Sequence, residues 1–415
     1  VAWTPEWLEA RSWLRAKLAE IGLPAQQDPA GNLWAAIEGE RQPFLIVGSH
    51  IDAVPGGGWL DGALGLLTAL ETMRQLTRRT AKPPLGVRFV DWADEEGARF
   101  GRSLLGSSAC AGTLDPDNVR GLVDARGIRL VDALASCDVD LDAAALATER
   151  LEGACAYLEL HIEQGPILLD RKDLASPVSG TFGVERHLVN FVGQAAHAGS
   201  TPMPRRQDSL TAAARAALEI RDSAIAHGGV ATVGQIKSTP GVITAVAGLT
   251  EMQLDQRHLD PQALTAMLAE AHEICQRAAE EFCCTSTVRH VLSVAPTRFD
   301  EALVRLAGES VAQATGHGAA PIPSGPLHDA TEIGRVVPTA MIFVQSDPPI
   351  SHAEIEDSPQ AALEVAIGAY GRTVGELLVR ADQLASAGAA EANELRCRSP
   401  DQPLGRARDR TRTTG

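Results

Sequence analysis

Pro43-Phe44-Leu45-Ile46-Val47-Gly48-Ser49-His50-Ile51-Asp52 sets an apolar run directly ahead of two residues able to bind a cation. Residues 43–47 have the length and character of a strand buried on both faces, so His50 emerges at a strand's C-terminal end. The pattern recurs three times. Leu85 to Trp92 precedes Asp94-Glu95-Glu96-Gly97, Cys155 to Leu160 precedes His161 and Glu163, and Thr339 to Val344 ends just short of Ser351-His352-Ala353-Glu354. Four polar clusters thus follow four apolar strands. In an open α/β sheet the carboxyl ends of the strands form the ligand crevice, so residues as distant in sequence as His50 and His352 are expected to converge there.

From Val1 to about Pro177, helix-like and strand-like stretches alternate, as in Thr4 to Ile21, opened by Thr4-Pro5-Glu6 as N-cap and first turn, and Gly62 to Leu76 after Asp61. This βαβ grammar predicts an α/β fold with a mostly parallel sheet. Between about Val178 and Val294 the order becomes strand (His187 to Val192), helix (Asp208 to His227), strand (Val230 to Ser238), strand (Leu249 to Arg257), helix (Asp260 to Phe282) and strand (Thr285 to Val294). That is a ferredoxin-like α+β unit. The earlier pattern resumes at Arg298 and closes with a helix from Ser358 to Leu384. The expectation is a catalytic domain made of residues 1–177 and 295–384, with residues 178–294 inserted into it. Residues 385–415, Ala/Gly-rich and then Arg-rich, are expected to be a disordered tail, since they can bury too little to offset ordering entropy.

Composition narrows the function. At 415 residues and 45% apolar content the chain can build two domains. A net charge of −16, with no basic stripe, argues against nucleic acid and for a small-molecule partner. Seven cysteines with no CxxC spacing fit reduced thiols, hence a cytoplasmic protein. No membrane segment is read, because no apolar run reaches the ~18 residues a span needs. No charged-then-apolar leader is read either. The chain begins at Val1 rather than Met, which leaves room for an upstream segment.

Two divalent metals roughly 3.5–4 Å apart need a shared carboxylate with His or carboxylate ligands on each side, and they activate water at neutral pH. Asp61, in the Gly-flanked turn Leu60-Asp61-Gly62, is the natural bridge. His50 and His161 complete one metal, and Glu96 and His352 the other. Asp52 would share a face with His50 in an extended segment and orient its ring. Glu95 is left over, placed to take a proton from water and pass it to the leaving group.

The segments GSHIDAVPGGGWLDGALG, DEEGARFG, LELHIEQGP, HAGSTPM, SGPLHDA and ISHAEIE together resemble the bimetallic amidohydrolase family. That family includes N-carbamoyl-L-amino acid hydrolases, allantoate amidohydrolases and bacterial-type β-ureidopropionases, and is related to dinuclear aminopeptidases and aminoacylases. The resemblance runs from about Thr4 to Leu384. It implies a catalytic domain of the dinuclear zinc aminopeptidase type, with the inserted domain serving as substrate lid and dimerisation surface of a homodimer. It implies two divalent ions (zinc, manganese, cobalt or nickel) on His50, Asp61, Glu96, His161 and His352, with Glu95 as general base. It also implies substrate contacts from Gln164, from His197 as an oxyanion-type donor, and from Arg257. Alternation along Leu249 to Arg257 likewise puts Arg257 on the polar face, where a guanidinium can clamp a carboxylate. Arg186, before the first strand of the insert, is a further candidate. The chain departs from the family at Thr244, where an Asn is usual, and at Pro326-Leu327, where Ala-Gly is usual, so a reshaped pocket is expected. The implied reaction is hydrolysis of an N-carbamoyl-L-amino acid to amino acid, ammonia and carbon dioxide. Allantoate, carbamoyl-β-alanine and N-acyl amino acids are the alternatives on the same scaffold.

Overall fold

The structure, a computed structural model, describes residues 1–380. The expected tail and the last residues of the closing helix lie outside the described residues. Of the predicted strands, Leu85–Trp92, Thr285–Val294 and Thr339–Val344 are observed with the expected bounds, while the His50 strand runs Arg41–His50 and the His161 strand Ala154–Ile162.

Four of these strands form the middle of a nine-stranded sheet, in the order Leu85–Trp92, Arg41–His50, Ala154–Ile162, Thr339–Val344, with all three pairings parallel. The flanking strands are antiparallel: Leu33–Ile37 on one side, Ala175–Thr181 on the other. The parallel grammar therefore holds at the centre and stops at the edges, where no crossover helix is needed. Register matters more for function than strand count. His50 pairs with Trp92 and His161 with Phe343, so the C-terminal ends finish level and their loops leave from one rim. Residues 44–50 and 155–162 are buried throughout, as strands covered on both faces must be. The helix after Asp61, Ala63–Thr77, rests directly on the sheet: a Cβ at Gly65 would lie 2.0 Å from the carbonyl oxygen of Leu160.

The first helix, Pro5–Glu20, starts as its sequence dictates, with Thr4 accepting from the Trp7 N–H (3.4 Å) and Pro5 at the first position. It buries a charge as well as Trp7, Leu14 and Leu18. Arg11 Nε donates to Asp91 Oδ2 at 2.7 Å and Nη1 to the Gly31 carbonyl at 2.6 Å, with both ion-pair partners buried. Removing one member of such a pair leaves the other without a counter-charge, which costs about 3–5 kcal/mol. Arg11→Ala is expected to lower stability by that amount in denaturant titration, and an unchanged midpoint would refute the assignment.

A second, four-stranded antiparallel sheet has the order Thr285–Val294, Gly183–Val192, Leu249–His258, Val230–Thr239. Helices Ser209–His227 and Pro261–Glu281, capped by Asp208 and Asp260, cover one face. Val189, Phe191, Met252, Leu254, Ile220 and Ile274 form a core separate from that of the large sheet. The other face carries Arg186, Asp255 and Arg257. A two-stranded ladder pairs Ala196–His197 with Ala245–Val246. Among the described residues the six cysteines are free, and no helix is long and apolar enough to cross a membrane.

Candidate metal centre

His50 and His161 are oriented by main-chain carbonyls. Nδ1 of His50 lies 3.0 Å from the Asp52 carbonyl and Nδ1 of His161 3.0 Å from that of Ile162. A carbonyl can only accept, so both Nδ1 atoms carry hydrogen and both Nε2 atoms turn toward Asp61. Nε2 of His50 lies 3.8 Å and that of His161 3.1 Å from Asp61 Oδ1. The other oxygen, Oδ2, is 3.2 Å from His352 Nε2, which is also 3.3 Å from Glu96 Oε2. Asp61 is thus shared by two groups, His50–Asp61–His161 and Asp61–Glu96–His352, each with its ligand atoms within 4.8 Å of one another. Nε2 of His50, Nε2 of His161 and Oε1 of Glu96 are buried with no hydrogen-bond partner. Orphaned buried polar atoms converging on a carboxylate are what a cation site presents.

Charge balance says the same. Burial works to lower His161, but Asp61 overrides it and raises the imidazole to about 9. Hydrogen bonds donated to Asp61 and then Glu96 raise His352 to about 10. Asp61 itself is opposed by burial yet held far below the usual carboxylate range by His161 and His352. The cluster therefore has a standing demand for positive charge.

The turn bearing Asp61 is fixed from behind. Glu356 Oε1 accepts the N–H groups of Leu60 (3.1 Å) and Asp61 (3.0 Å). Gly62 has φ +64°, and a Cβ there would sit 2.3 Å from the His50 ring, so only glycine lets the turn close over that imidazole. Asp94, Gln164 and His352 are non-glycine residues at φ +57°, +63° and +56°. Such backbone outliers gather where surrounding structure over-determines a site.

Asp52 does something other than expected. The His50 ring bonds its carbonyl, and the carboxylate, 3.8 Å from Nδ1, instead accepts the N–H groups of Glu95 and Glu96, each at 3.2 Å. It holds the acidic loop rather than the ring. Glu95 is buried, with Oε2 3.9 Å from His50 Nε2. Burial first, then Asp329, Glu96 and Asp61, push its carboxyl well above the usual range.

These groups floor a cavity of about 410 Å³. Gln164 lines it and donates to Asp61 Oδ2 (2.8 Å) and Ser351 Oγ (3.1 Å). Arg186 and Arg257 line it from the smaller sheet, and Pro326 and Leu327 supply its apolar side chains. His197 and Thr244 are not among its walls. Both are exposed: His197 Nδ1 accepts from Gly199 and Ser200 (3.1 and 3.2 Å), and the Thr244 carbonyl from Ala198 (2.9 Å).

Sequence reasoning missed three contributors. Glu356 sits two residues past the last singled-out acid. His328 sets its ring 4.4 Å from that of His161, tilted by 59°, with Nε2 2.9 Å from Ser324 Oγ; burial keeps it well below the usual histidine range, hence neutral. Buried Asp329 is pushed well up, first by burial and then by Glu159. The signal for the last two was present in SGPLHDA, which was noted as a departure and not as a source of site residues.

The sequence profile described as Peptidase family M20/M25/M40 matches residues 46–376. The chain belongs to that family. This M20 member is 32% identical over 380 residues to an N-carbamoyl-L-amino acid amidohydrolase of Geobacillus stearothermophilus, covering 91% of the chain and 92% of the relative. It is also 32% identical over 358 residues to an allantoate amidohydrolase of Escherichia coli K12, covering 85% and 86%. Among solved structures, a hydantoinase/carbamoylase family amidase of Burkholderia multivorans superposes with a TM-score of 0.80 at 30% identity, covering 90% of the chain and 92% of the neighbour. The chain is therefore an amidohydrolase of the M20 fold, with candidate metal-binding residues at the carboxyl rim of its sheet.

Proposed function

We propose that this protein hydrolyses the carbamoyl C–N bond of N-carbamoyl-L-amino acids, releasing amino acid, ammonia and carbon dioxide. The observation that carries the reading is the division of Asp61 between two ligand groups beside a buried, unallocated Glu95. His50, Asp61 and His161 would hold one divalent ion, and Asp61, Glu96 and His352 a second. Ions so held supply Lewis acidity to the carbonyl and lower the pKa of water near them. Glu95 takes the proton from the attacking water and delivers it to the departing nitrogen. Gln164 keeps Asp61 oriented. An arginine of the smaller sheet meets the carboxylate, and the walls exclude bulk water.

Allantoate is the second reading, supported by an equal identity to its amidohydrolase. It carries a second ureido group where an amino acid carries its side chain. Pro326 and Leu327 offer that group no side-chain hydrogen bond, and an unpaired amide costs about 1–3 kcal/mol. The apolar wall therefore favours an amino acid with an apolar side chain. A homodimer belongs to the proposal: Ile243 is 98% exposed and Val242 55%, beside Thr244, and a second copy covering them would let His197 and Thr244 serve the other copy's cavity.

The test is ammonia release by protein reconstituted with manganese, cobalt or zinc. The panel comprises N-carbamoyl-L-amino acids and their D-forms, allantoate and carbamoyl-β-alanine, with acetate release from N-acetyl amino acids followed alongside. Preference for an aliphatic carbamoyl-L-amino acid is expected, and hydrolysis of allantoate alone would replace the reading by its rival.

A further inference from the structure

A second set of metal-binding side chains lies in the smaller sheet, outside the Asp61 cluster. His187 belongs to the strand Gly183–Val192 and shares its helix-covered face with Val189 and Phe191. His290, on the edge strand Thr285–Val294, is its direct cross-strand partner, so the two rings stand on one face with centroids 5.5 Å apart. His272 comes from the covering helix Pro261–Glu281 and brings its ring to 6.0 Å from that of His187. Three imidazoles from three elements thus meet at the open edge of the sheet.

His187 is the informative member. Its side chain is 5% exposed, and Nδ1 is buried with no hydrogen-bond partner. A buried polar atom rarely lacks a partner, and an ion supplies one. The other nitrogen, Nε2, lies 3.9 Å from Oε2 of Glu185, two residues away on the same face, and Glu185 is itself held by the Ser293 hydroxyl. Burial, with the His272 and His290 rings added, outweighs the pull of Glu185 and holds the His187 ring below the usual histidine range. It therefore stays in the neutral form that binds metal. His272 and His290 are exposed, and their rings make no hydrogen bond among the described residues, which leaves them free to turn. His272 also lines a groove of about 400 Å³ with Gln276, Ser286 and Val288, an entry path from solvent.

We propose that His187, His272 and His290 bind a divalent transition-metal ion of the zinc or nickel type, with Glu185 orienting His187 from behind. Zinc holds imidazole nitrogens at about 2.0–2.1 Å in a tetrahedron, which sets ring centres roughly 5 Å apart. The separations found, 5.5 and 6.0 Å, are close to that. The donor atoms are not drawn together as the Asp61 groups are, so the site closes when the exposed rings rotate onto the ion. Nδ1 of His187 binds while Nε2 keeps its hydrogen for Glu185, the arrangement in which a carboxylate raises a ligand's basicity. Imidazoles suit zinc, nickel and copper, whereas magnesium and calcium take oxygen ligands. The ion pins the edge strand and the helix to the strand between them, so it acts on the stability of the insert and not on the chemistry at Asp61. The site is independent of the reaction proposed above.

The experiment counts zinc. The full chain is stripped with a chelator, titrated with zinc by calorimetry and analysed for bound metal after gel filtration. It is compared as wild type and with His187→Gln, His272→Gln, His290→Gln and Asp61→Asn. Wild type is expected to hold one equivalent more than each histidine variant, and that equivalent survives in Asp61→Asn. Loss of one ligand lowers its affinity by more than the 10- to 100-fold that loss of an outer partner costs. Zinc also raises the Tm of the Asp61→Asn protein, and His272→Gln in that background abolishes the rise. An equal zinc count in wild type and in the His272 and His290 variants overturns the proposal, as does a count that falls to zero in Asp61→Asn. Should His187→Gln fail to fold, the two exposed positions decide the matter by themselves.

Discussion

Glu95→Gln is expected to lower kcat by roughly 10²–10⁴-fold, the range in which a positioned proton carrier contributes, with little change in KM. The substitution keeps shape and volume in a buried site and removes the ability to accept a proton. Metal content should not fall with it, because neither ligand group uses Glu95. The environment is built for this role. Burial and the neighbouring Asp329 and Glu96 oppose ionisation, so the carboxyl binds a proton more tightly than an ordinary glutamate would. The measurement is steady-state kinetics beside elemental analysis of the same preparation. A fully loaded Glu95→Gln protein within tenfold of wild type would remove Glu95 from the reaction.

Asp61→Asn is expected to abolish measurable activity and to weaken both metal positions together. The two oxygens serve different sides, Oδ1 toward His50 and His161 and Oδ2 toward His352. One substitution therefore withdraws negative charge from each. Loss of an outer partner of a metal ligand typically costs 10- to 100-fold in affinity, and loss of the shared ligand itself should exceed roughly 100-fold. Calorimetric titration with zinc or manganese reads this directly. A variant that still binds two equivalents with near wild-type affinity would show that Asp61 is not the bridge.

The parts of this site legible in the sequence are those whose position follows from strand grammar. His50, Glu96 and His161 sit just past apolar runs, and a parallel sheet brings such ends to one rim whatever lies between them. His352 follows the last strand by eight residues, still close enough for the same argument. Backbone hydrogen bonds were not legible. Nothing in the spacing of His50 and Asp52 distinguishes a ring held by a carboxylate from one held by the carbonyl of the same residue, and the structure uses the carbonyl. Glu356 was overlooked because an acid in a polar loop looks solvated until the turn it grips is folded against it. His328 and Asp329 are buried by tertiary packing that periodicity does not report. For Arg257, alternation gave the correct face but could not show that Asp255 would be shared with Arg186, which lies inside the strand Gly183–Val192 and not before it. His197 and Thr244 show the limit in another way: His197 pairs with Ala245 and the Thr244 carbonyl accepts from Ala198, while the cavity closes without either.

The two halves of the Asp61 cluster differ in their access to water. His50 and His161 have side chains 1% exposed, whereas His352 is 49% exposed on a loop that also carries a left-handed backbone angle. With ions bound as proposed, the inner one would be sealed behind the sheet and the outer one would stand at the solvent boundary. Dialysis would then strip and refill the outer position while the inner kept its original occupant. Such a protein carries a history: two samples of identical sequence could hold the same inner ion and different outer ones, and differ in specific activity because of the last buffer each had met.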